Sequence, residues 1–200
     1  RSSEISRQVC PIFVTGIPVF GDDSAGGSPF VFVTRLLQAI LIGLLVSIIW
    51  PTRKGAPWVP SRRPAVRKML ALAGLKPREL LIDLGSGDGR VLIAAARRYR
   101  VRGVGVEIDP LRVAWSRLAI RRHGLQGQVR IVRGNLFDLD LSDADVVTCY
   151  LLQKTNDRLS EKLERELRPG ARVVSNTFTF KGLEAIASDE KQDVFLYRKG

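Results

Sequence analysis

Hydrophobic positions fall into two regimes along the chain. From Val31 to Trp50 the run VFVTRLLQAILIGLLVSIIW is almost wholly apolar, whereas beyond about residue 63 short apolar runs alternate with segments of helical period. The second regime predicts helices at 63–74, 89–99, 110–123 and 156–167 and strands at 79–84, 102–107, 129–134, 145–150 and 171–178. A closing strand is expected around Val194 to Tyr197. Alternation of this kind predicts an α/β fold, a mostly parallel sheet with helices on both faces. The helix at 110–123 is expected to turn Leu111, Ala114, Trp115 and Leu118 into the core. The helix at 156–167 is expected to do the same with Leu159, Leu163 and Leu167.

The first regime reads differently. A helix needs about 20 apolar residues to cross a bilayer core, so residues 31–50 are expected to form a transmembrane helix, with Arg35 snorkelling near one end and Trp50 anchoring the other. Arg53, Lys54, Arg62, Arg63, Arg67 and Lys68 follow this run, while Asp22 and Asp23 precede it. That asymmetry predicts a single-pass membrane protein with its C-terminal domain on the cytoplasmic side. Four parts are therefore expected: a flexible segment at 1–30, the span at 31–50, a basic proline-rich strap at 51–62 and the α/β domain at 63–200.

Composition narrows this only a little. Two hundred residues with 45% hydrophobic side chains suit one well-cored domain. The formal net charge of +12 suits nucleic acid, an anionic membrane surface or an acidic partner alike. Cys10 and Cys149 are far apart and without metal-ligand spacing, so neither a disulfide framework nor a metal is expected. His123, before Gly124, marks a helix end.

The chemistry concentrates in Leu80-Leu81-Ile82-Asp83-Leu84-Gly85-Ser86-Gly87-Asp88-Gly89-Arg90, an apolar strand entering a glycine-rich turn before a helix. Glycines there let the backbone turn sharply and approach a ligand, and the helix start offers free N–H donors. A dinucleotide fingerprint runs G-x-G-x-x-G. Here the pattern is G-x-G-x-G, Arg90 stands in the place of the third glycine, and Asp83 precedes the turn. A carboxylate at that point would repel a pyrophosphate and suits a cationic ligand, so S-adenosyl-L-methionine is the expected cofactor. Glu107 closes the strand about 20 residues further on, where an acid accepts hydrogen bonds from both ribose hydroxyls. Asn135 either meets the adenine edge or simply closes a turn. Asp145 opens the next strand, and Tyr150, just beyond it, either borders the reacting centre or packs.

Taken together, DLGSGDGR at 83–90, VEIDP at 106–110, YLL at 150–152 and LSEKLERELRPGARVVS at 159–175 resemble one class I methyltransferase family. It includes the archaeal broad-specificity protein-lysine methyltransferases and mitochondrial enzymes that methylate a lysine of the ATP synthase c subunit or the adenine nucleotide translocase. The likeness covers about 56–200 and implies a Rossmann-like class I methyltransferase sandwich. It also implies that Asp83, Gly85, Ser86, Gly87 and Glu107 hold the cofactor, that Asn135 meets the adenine and that Tyr150 is the catalytic-site residue beside the methyl group. Pro60-Ser61 resembles a segment that lies near the cofactor in this family. Many relatives carry an aromatic-proline-aromatic stretch where this chain reads Asn176-Thr177-Phe178-Thr179-Phe180-Lys181-Gly182, which leaves the target open.

The expected activity is methylation of a lysine side chain on a membrane or membrane-adjacent protein, with membrane contact through 31–50. The chief alternative is a small-molecule methyltransferase acting on a lipid or quinone. RNA methylation and a non-catalytic cofactor-binding module rank lower. Base-amine methyltransferases place an Asn/Asp-Pro-Pro-aromatic motif after the fourth strand, and this chain has Thr148-Cys149-Tyr150-Leu151. Cytosine-C5 chemistry would want Pro-Cys, whereas Thr148 precedes Cys149. The sequence does not define an oligomeric state.

Overall fold

The computed structural model describes residues 29–54 and 59–200, which divide into two units between Ile40 and Leu41. Helix α1 (Pro29–Lys54) contains the whole apolar run. Near its start the Thr34 hydroxyl donates back to the Phe30 and Val31 carbonyls. The expected helix at 31–50 is thus found as helix, but its membrane-spanning character is not. Side chains of α1 are described only as far as Gly43, short of Trp50, and among the described residues no helix is long and apolar enough to cross a membrane. The flexible segment expected at 1–30 lies outside the described residues except for its last two positions, as do residues 55–58 of the strap. The strap's first residues, to Lys54, belong to α1.

From residue 63 onward the chain alternates as its periodicity demands. Helix α2 (Arg63–Ala73) ends on Gly74, whose φ of 58° gives the left-handed conformation that closes a helix at low cost. Then follow β1 (Leu80–Leu84), α3 (Arg90–Tyr99), β2 (Arg102–Glu107), α4 (Pro110–Arg122) and β3 (Val129–Arg133). After a 3-10 turn at Leu136–Asp138 come β4 (Val146–Cys149), α5 (Gln153–Glu166), β5 (Arg172–Asn176), β6 (Ala187–Asp189) and β7 (Val194–Arg198). The seven strands lie in the order β3-β2-β1-β4-β5-β7-β6. The first five run parallel, while β7 pairs antiparallel with both β5 and β6. This is the class I Rossmann-like methyltransferase fold.

Alternation along the strands sorts side chains into two cores. Leu81, Val146 and Val174 face one way, toward Met69 and Leu70 of α2, Leu92 and Ala95 of α3, and Val113 and Ile120 of α4. Ile82, Val147 and Val173 face the other way, toward Leu159 and Leu163 of α5. The leucines of α5 are core, as their spacing predicts.

The expected core face of α4 is overturned. Leu111, Trp115 and Leu118 are exposed, Trp115 at 62%, and the buried residues are Val113, Ser116 and Ile120. Both sides of this helix carry apolar residues, so periodicity alone cannot choose between them. The choice is steric. Ser116 is the small residue that fits over the glycine turn, where a Cβ placed on Gly89 would come within 3.3 Å of the Ser116 Cβ. Trp115 has no room there.

Strand ends differ from expectation by one or two residues, and one strand, β6, is unexpected. β5 stops at Asn176 because Thr177 takes a φ of 68°, off the extended path. β6 is too short and polar to leave a periodic signal.

Candidate active site at the carboxyl ends of the strands

The parallel strands β1, β2 and β4 point their carboxyl ends at one pocket, the crevice where ligands bind in open α/β sheets. Its lining brings together Asp83, Gly85, Ser86, Gly87, Glu107, Asn135 and Tyr150. Pro60 and Ser61 line it too, as the family resemblance implies.

The glycine turn is built over β2. The N–H groups of Gly85 and Ser86 both donate to the Val106 carbonyl at 3.0 Å. Gly85 holds a φ of 78°, and a Cβ there would stand 3.1 Å from Leu151 Cδ2. Only glycine meets both conditions without displacement. Ser86 lines the pocket through the same turn. Its hydroxyl is buried, has no partner among the described residues and packs so closely over Gly105 that a Cβ on that glycine would meet Ser86 Oγ at 2.6 Å.

Glu107 is fixed before any ligand arrives. Its Oε2 accepts from the Gly87 N–H at 3.0 Å and its Oε1 from the Asp109 N–H at 2.9 Å, with the Arg112 guanidinium 3.6 Å away. Asp109 in turn caps α4 by accepting from the Leu111 and Arg112 N–H groups. Each carboxylate oxygen of Glu107 keeps a second lone pair, so the acid can tie the turn to β2 and still accept from a ribose.

Asp83 is 4% exposed. Burial pushes its carboxyl up to about 7, the hydrogen bond from the Thr148 hydroxyl works against that rise, and the Asp88 and Glu107 carboxylates add to it. Of the three acids around the glycine turn, Asp88 has Arg90 beside it and Glu107 has Arg112. The described side-chain partner of Asp83 is the uncharged Thr148 hydroxyl, so Asp83 is the acid open to a cationic ligand group. The α-ammonium of S-adenosylmethionine is such a group, while the Gly85 cradle admits its backbone-like portion. The residues present therefore fit this cofactor.

Asn135 closes a turn and also lines the pocket. Its side-chain oxygen accepts from the Phe137 N–H at 3.2 Å, capping the 3-10 turn, and the residue lines the pocket next to Leu136. Tyr150 lies at the pocket wall with its ring stacked toward Phe178, centroids 6.4 Å apart and planes 24° from parallel. Asp145 lies away from the pocket, accepting from the Leu80 N–H at 2.7 Å. Cys149 is fully buried and its thiol is pushed up to about 12, chiefly by desolvation, so it is no thiolate nucleophile.

Some contributors escaped the sequence reading. Arg90 pairs with Asp88 through its Nε and donates from Nη1 to the Ser61 carbonyl at 2.9 Å, fastening the segment before α2 onto the glycine turn. Its place where a third glycine would stand was the available signal. Asn156, fully buried in α5, donates to Ser175 Oγ at 3.2 Å and to the Phe178 and Thr179 carbonyls at 3.1 and 3.3 Å. It thereby shapes the segment that presents Phe178. Nothing in the local sequence marks that role.

Comparison with known proteins agrees with this geometry. The sequence model of the ANTKMT methyltransferase domain matches residues 83–187. A protein-lysine N-methyltransferase of Saccharolobus islandicus is 44% identical over 127 residues, 63% of this chain and 79% of the relative. The adenine nucleotide translocase lysine N-methyltransferase of Mus musculus is 33% identical over 156 residues, 72% of this chain and 68% of the relative. Among solved structures, the RNA methyltransferase from Salinibacter ruber in complex with S-adenosyl-L-homocysteine superposes with a TM-score of 0.67 at 40% identity, covering 70% of this chain and 92% of that one. With its pocket, its glycine turn and these relatives in agreement, the chain belongs to the ANTKMT methyltransferase family and is an S-adenosyl-L-methionine-dependent methyltransferase.

Proposed function

We propose that the acceptor is the ε-amine of a protein lysine and that the target lies in or beside a membrane. The observation that carries the acceptor class is Tyr150 in the wall of the pocket with its ring stacked toward Phe178. Lysine ionises near 10.4, and its neutral form, the one that attacks, is favoured by removal from water. A pair of aromatic rings desolvates an entering side chain and still attracts its ammonium form through the ring faces.

Bound S-adenosylmethionine supplies a methyl group already made electrophilic by the sulfonium. What this chain adds is alignment. Asp83 would face the cofactor's ammonium, Glu107 the ribose and Asn135 the adenine, while Tyr150 and Phe178 exclude water along the acceptor's approach. No covalent enzyme intermediate is needed, and the buried thiol of Cys149 is unsuited to one.

The names of two relatives, protein-lysine N-methyltransferase and adenine nucleotide translocase lysine N-methyltransferase, support the same acceptor. The Salinibacter neighbour's description as an RNA methyltransferase favours a second reading, RNA. Against it stands the stretch Thr148-Cys149-Tyr150-Leu151, which lacks the base-binding motif and whose cysteine is buried. Mass spectrometry of membrane-protein lysines with and without the gene tests the acceptor: loss of a methyl mark from a specific lysine supports it, and an unchanged lysine methylome opposes it.

The membrane part of the reading rests on the apolar sequence of 31–50 and its one-sided basic flank. In that reading α1 spans the bilayer once and the catalytic unit faces the cytoplasm. Retention of the full chain in membranes through an alkaline carbonate wash is the expected result, and release would remove the span.

A further inference from the structure

Helix α4 is apolar on two faces. Val113 and Ile120 pack into the core, while Leu111, Trp115 and Leu118 form an exposed stripe at i, i+4 and i+7, continued by exposed Arg122. A stripe of this size on a domain surface calls for a covering partner. The surrounding charge says which. From Pro110 to Phe137 there is no acidic residue, and the same stretch carries Arg112, Arg117, Arg121, Arg122, Arg130 and Arg133. Arg112 and Arg117 are engaged, the first with Glu107 and Asp109 and the second with the Ile131 carbonyl. Arg121 and Arg122 are exposed on α4. On β3, the edge strand against which α4 packs, Arg133 is exposed with the same alternation as Val129 and Ile131, which face α4, whereas Arg130 alternates to the other side.

We propose that this surface, the outer face of α4 with Arg133 of β3, docks onto an anionic lipid bilayer. An interfacial helix combines Trp and Leu, which enter the headgroup and acyl boundary, with arginines that meet lipid phosphates. RNA would engage the arginines but leave the Leu111-Trp115-Leu118 stripe exposed, because phosphate contacts come from basic and polar groups. The indole of Trp115, apolar in body and polar at its N–H, is the side chain best suited to that boundary. Docking this way has a consequence for the reaction. The first turn of α4 adjoins the pocket, with Ile108 and Arg112 in its lining, so the pocket mouth comes to lie beside the lipid surface. The surface stands on its own residues, and its docking does not depend on whether α1 spans a membrane.

The test keeps the full chain and makes Trp115 its single tryptophan through Trp50→Phe and Trp58→Phe. Its fluorescence is followed with vesicles of phosphatidylcholine alone or mixed with phosphatidylglycerol, each with and without lipids brominated near the headgroup. The expected result is a blue shift and quenching by brominated lipid only when phosphatidylglycerol is present. Each basic residue near an anionic surface favours binding by roughly fivefold, so Arg121→Glu with Arg122→Glu should lower docking by roughly a hundredfold or more. Unchanged affinity of that variant for S-adenosylhomocysteine verifies that it is folded. Four results would overturn the proposal. The first is Trp115 open to an aqueous quencher in the presence of either vesicle, and the second is equal quenching in both lipids. The third is shielding by RNA oligonucleotides where vesicles give none. The fourth is shielding without lipid in a concentration-dependent dimer, which would assign the face to a second copy of the chain.

Discussion

The Thr148 hydroxyl donates to Asp83 Oδ1 at 2.7 Å, between residues that stand opposite each other in the β1–β4 register. This bond is the described side-chain support for the carboxylate. It opposes a burial that would otherwise keep Asp83 protonated well above the ordinary range.

A pH dependence follows. The carboxyl titrates at about 7 without ligand, and a cationic cofactor favours its ionised form. S-adenosylhomocysteine should therefore bind more tightly as pH rises through about 7 and release a proton when it binds below that point, read by calorimetry in buffers of different ionisation enthalpy. The ligand-free protein behaves in the opposite sense. A carboxyl raised above its unfolded value stabilises the fold at low pH, and that contribution is lost as pH climbs toward about 7. Thr148→Val should move the binding transition to higher pH, and Asp83→Asn should abolish it.

Gly85→Ala places a Cβ 3.1 Å from Leu151 Cδ2 on a backbone with a φ of 78°. Left-handed strain at such a site costs roughly 1–3 kcal/mol, so both the melting temperature and cofactor affinity should fall. Glu107→Ala removes the acceptor of two buried N–H groups as well as the proposed ribose contact. Its expected effect on S-adenosylhomocysteine affinity is a loss of about tenfold to a hundredfold, corresponding to one charged hydrogen-bonding group. NAD should bind neither the parent chain nor these variants.

The two faces of α4 should separate in a stability experiment. Ile120→Ala opens a cavity in the core and should cost about 2–5 kcal/mol in denaturant unfolding. Trp115→Ser touches an exposed position and should stay within about 0.5 kcal/mol of the parent. A large loss at Trp115 with none at Ile120 would reverse the assignment of the buried face.

That helix also marks where the sequence stops being legible. The β/α alternation and the glycine turn are visible because period and backbone chemistry are local properties. Asp83, Glu107 and the glycines could be placed for the same reason, since the turn fixes their neighbours within the chain. The buried face of α4 is decided by Ser116 meeting Gly89, a contact between elements that a window of sequence cannot contain. Arg90 reaching the Ser61 carbonyl and Asn156 reaching the Phe178 carbonyl are likewise long-range pairings. Thr177 in the left-handed region ends a strand that its apolar pattern would have continued.

Phe178 and Asn156 should affect turnover more than cofactor binding. Phe178→Ala removes the ring toward which Tyr150 stacks. Asn156→Ala removes one donor from each of the Phe178 and Thr179 carbonyls, leaving them to Ser175 and Gln153, and so loosens the segment. Each should lower kcat with S-adenosylhomocysteine affinity within about twofold of the parent, as expected for contacts made on the acceptor side only. Phe178→Tyr, which keeps the ring, should retain most of the activity.

Transfer of a labelled methyl group tests the central claim most directly. The purified full chain is incubated with S-adenosylmethionine carrying a radioactive methyl group and native membranes, and the label is followed into protein, lipid and RNA fractions. The account predicts label in protein, located by mass spectrometry on a lysine ε-nitrogen and lost with Asp83→Asn. Label in lipid, quinone or RNA with none on any lysine would contradict the lysine acceptor while leaving the methyltransferase itself in place.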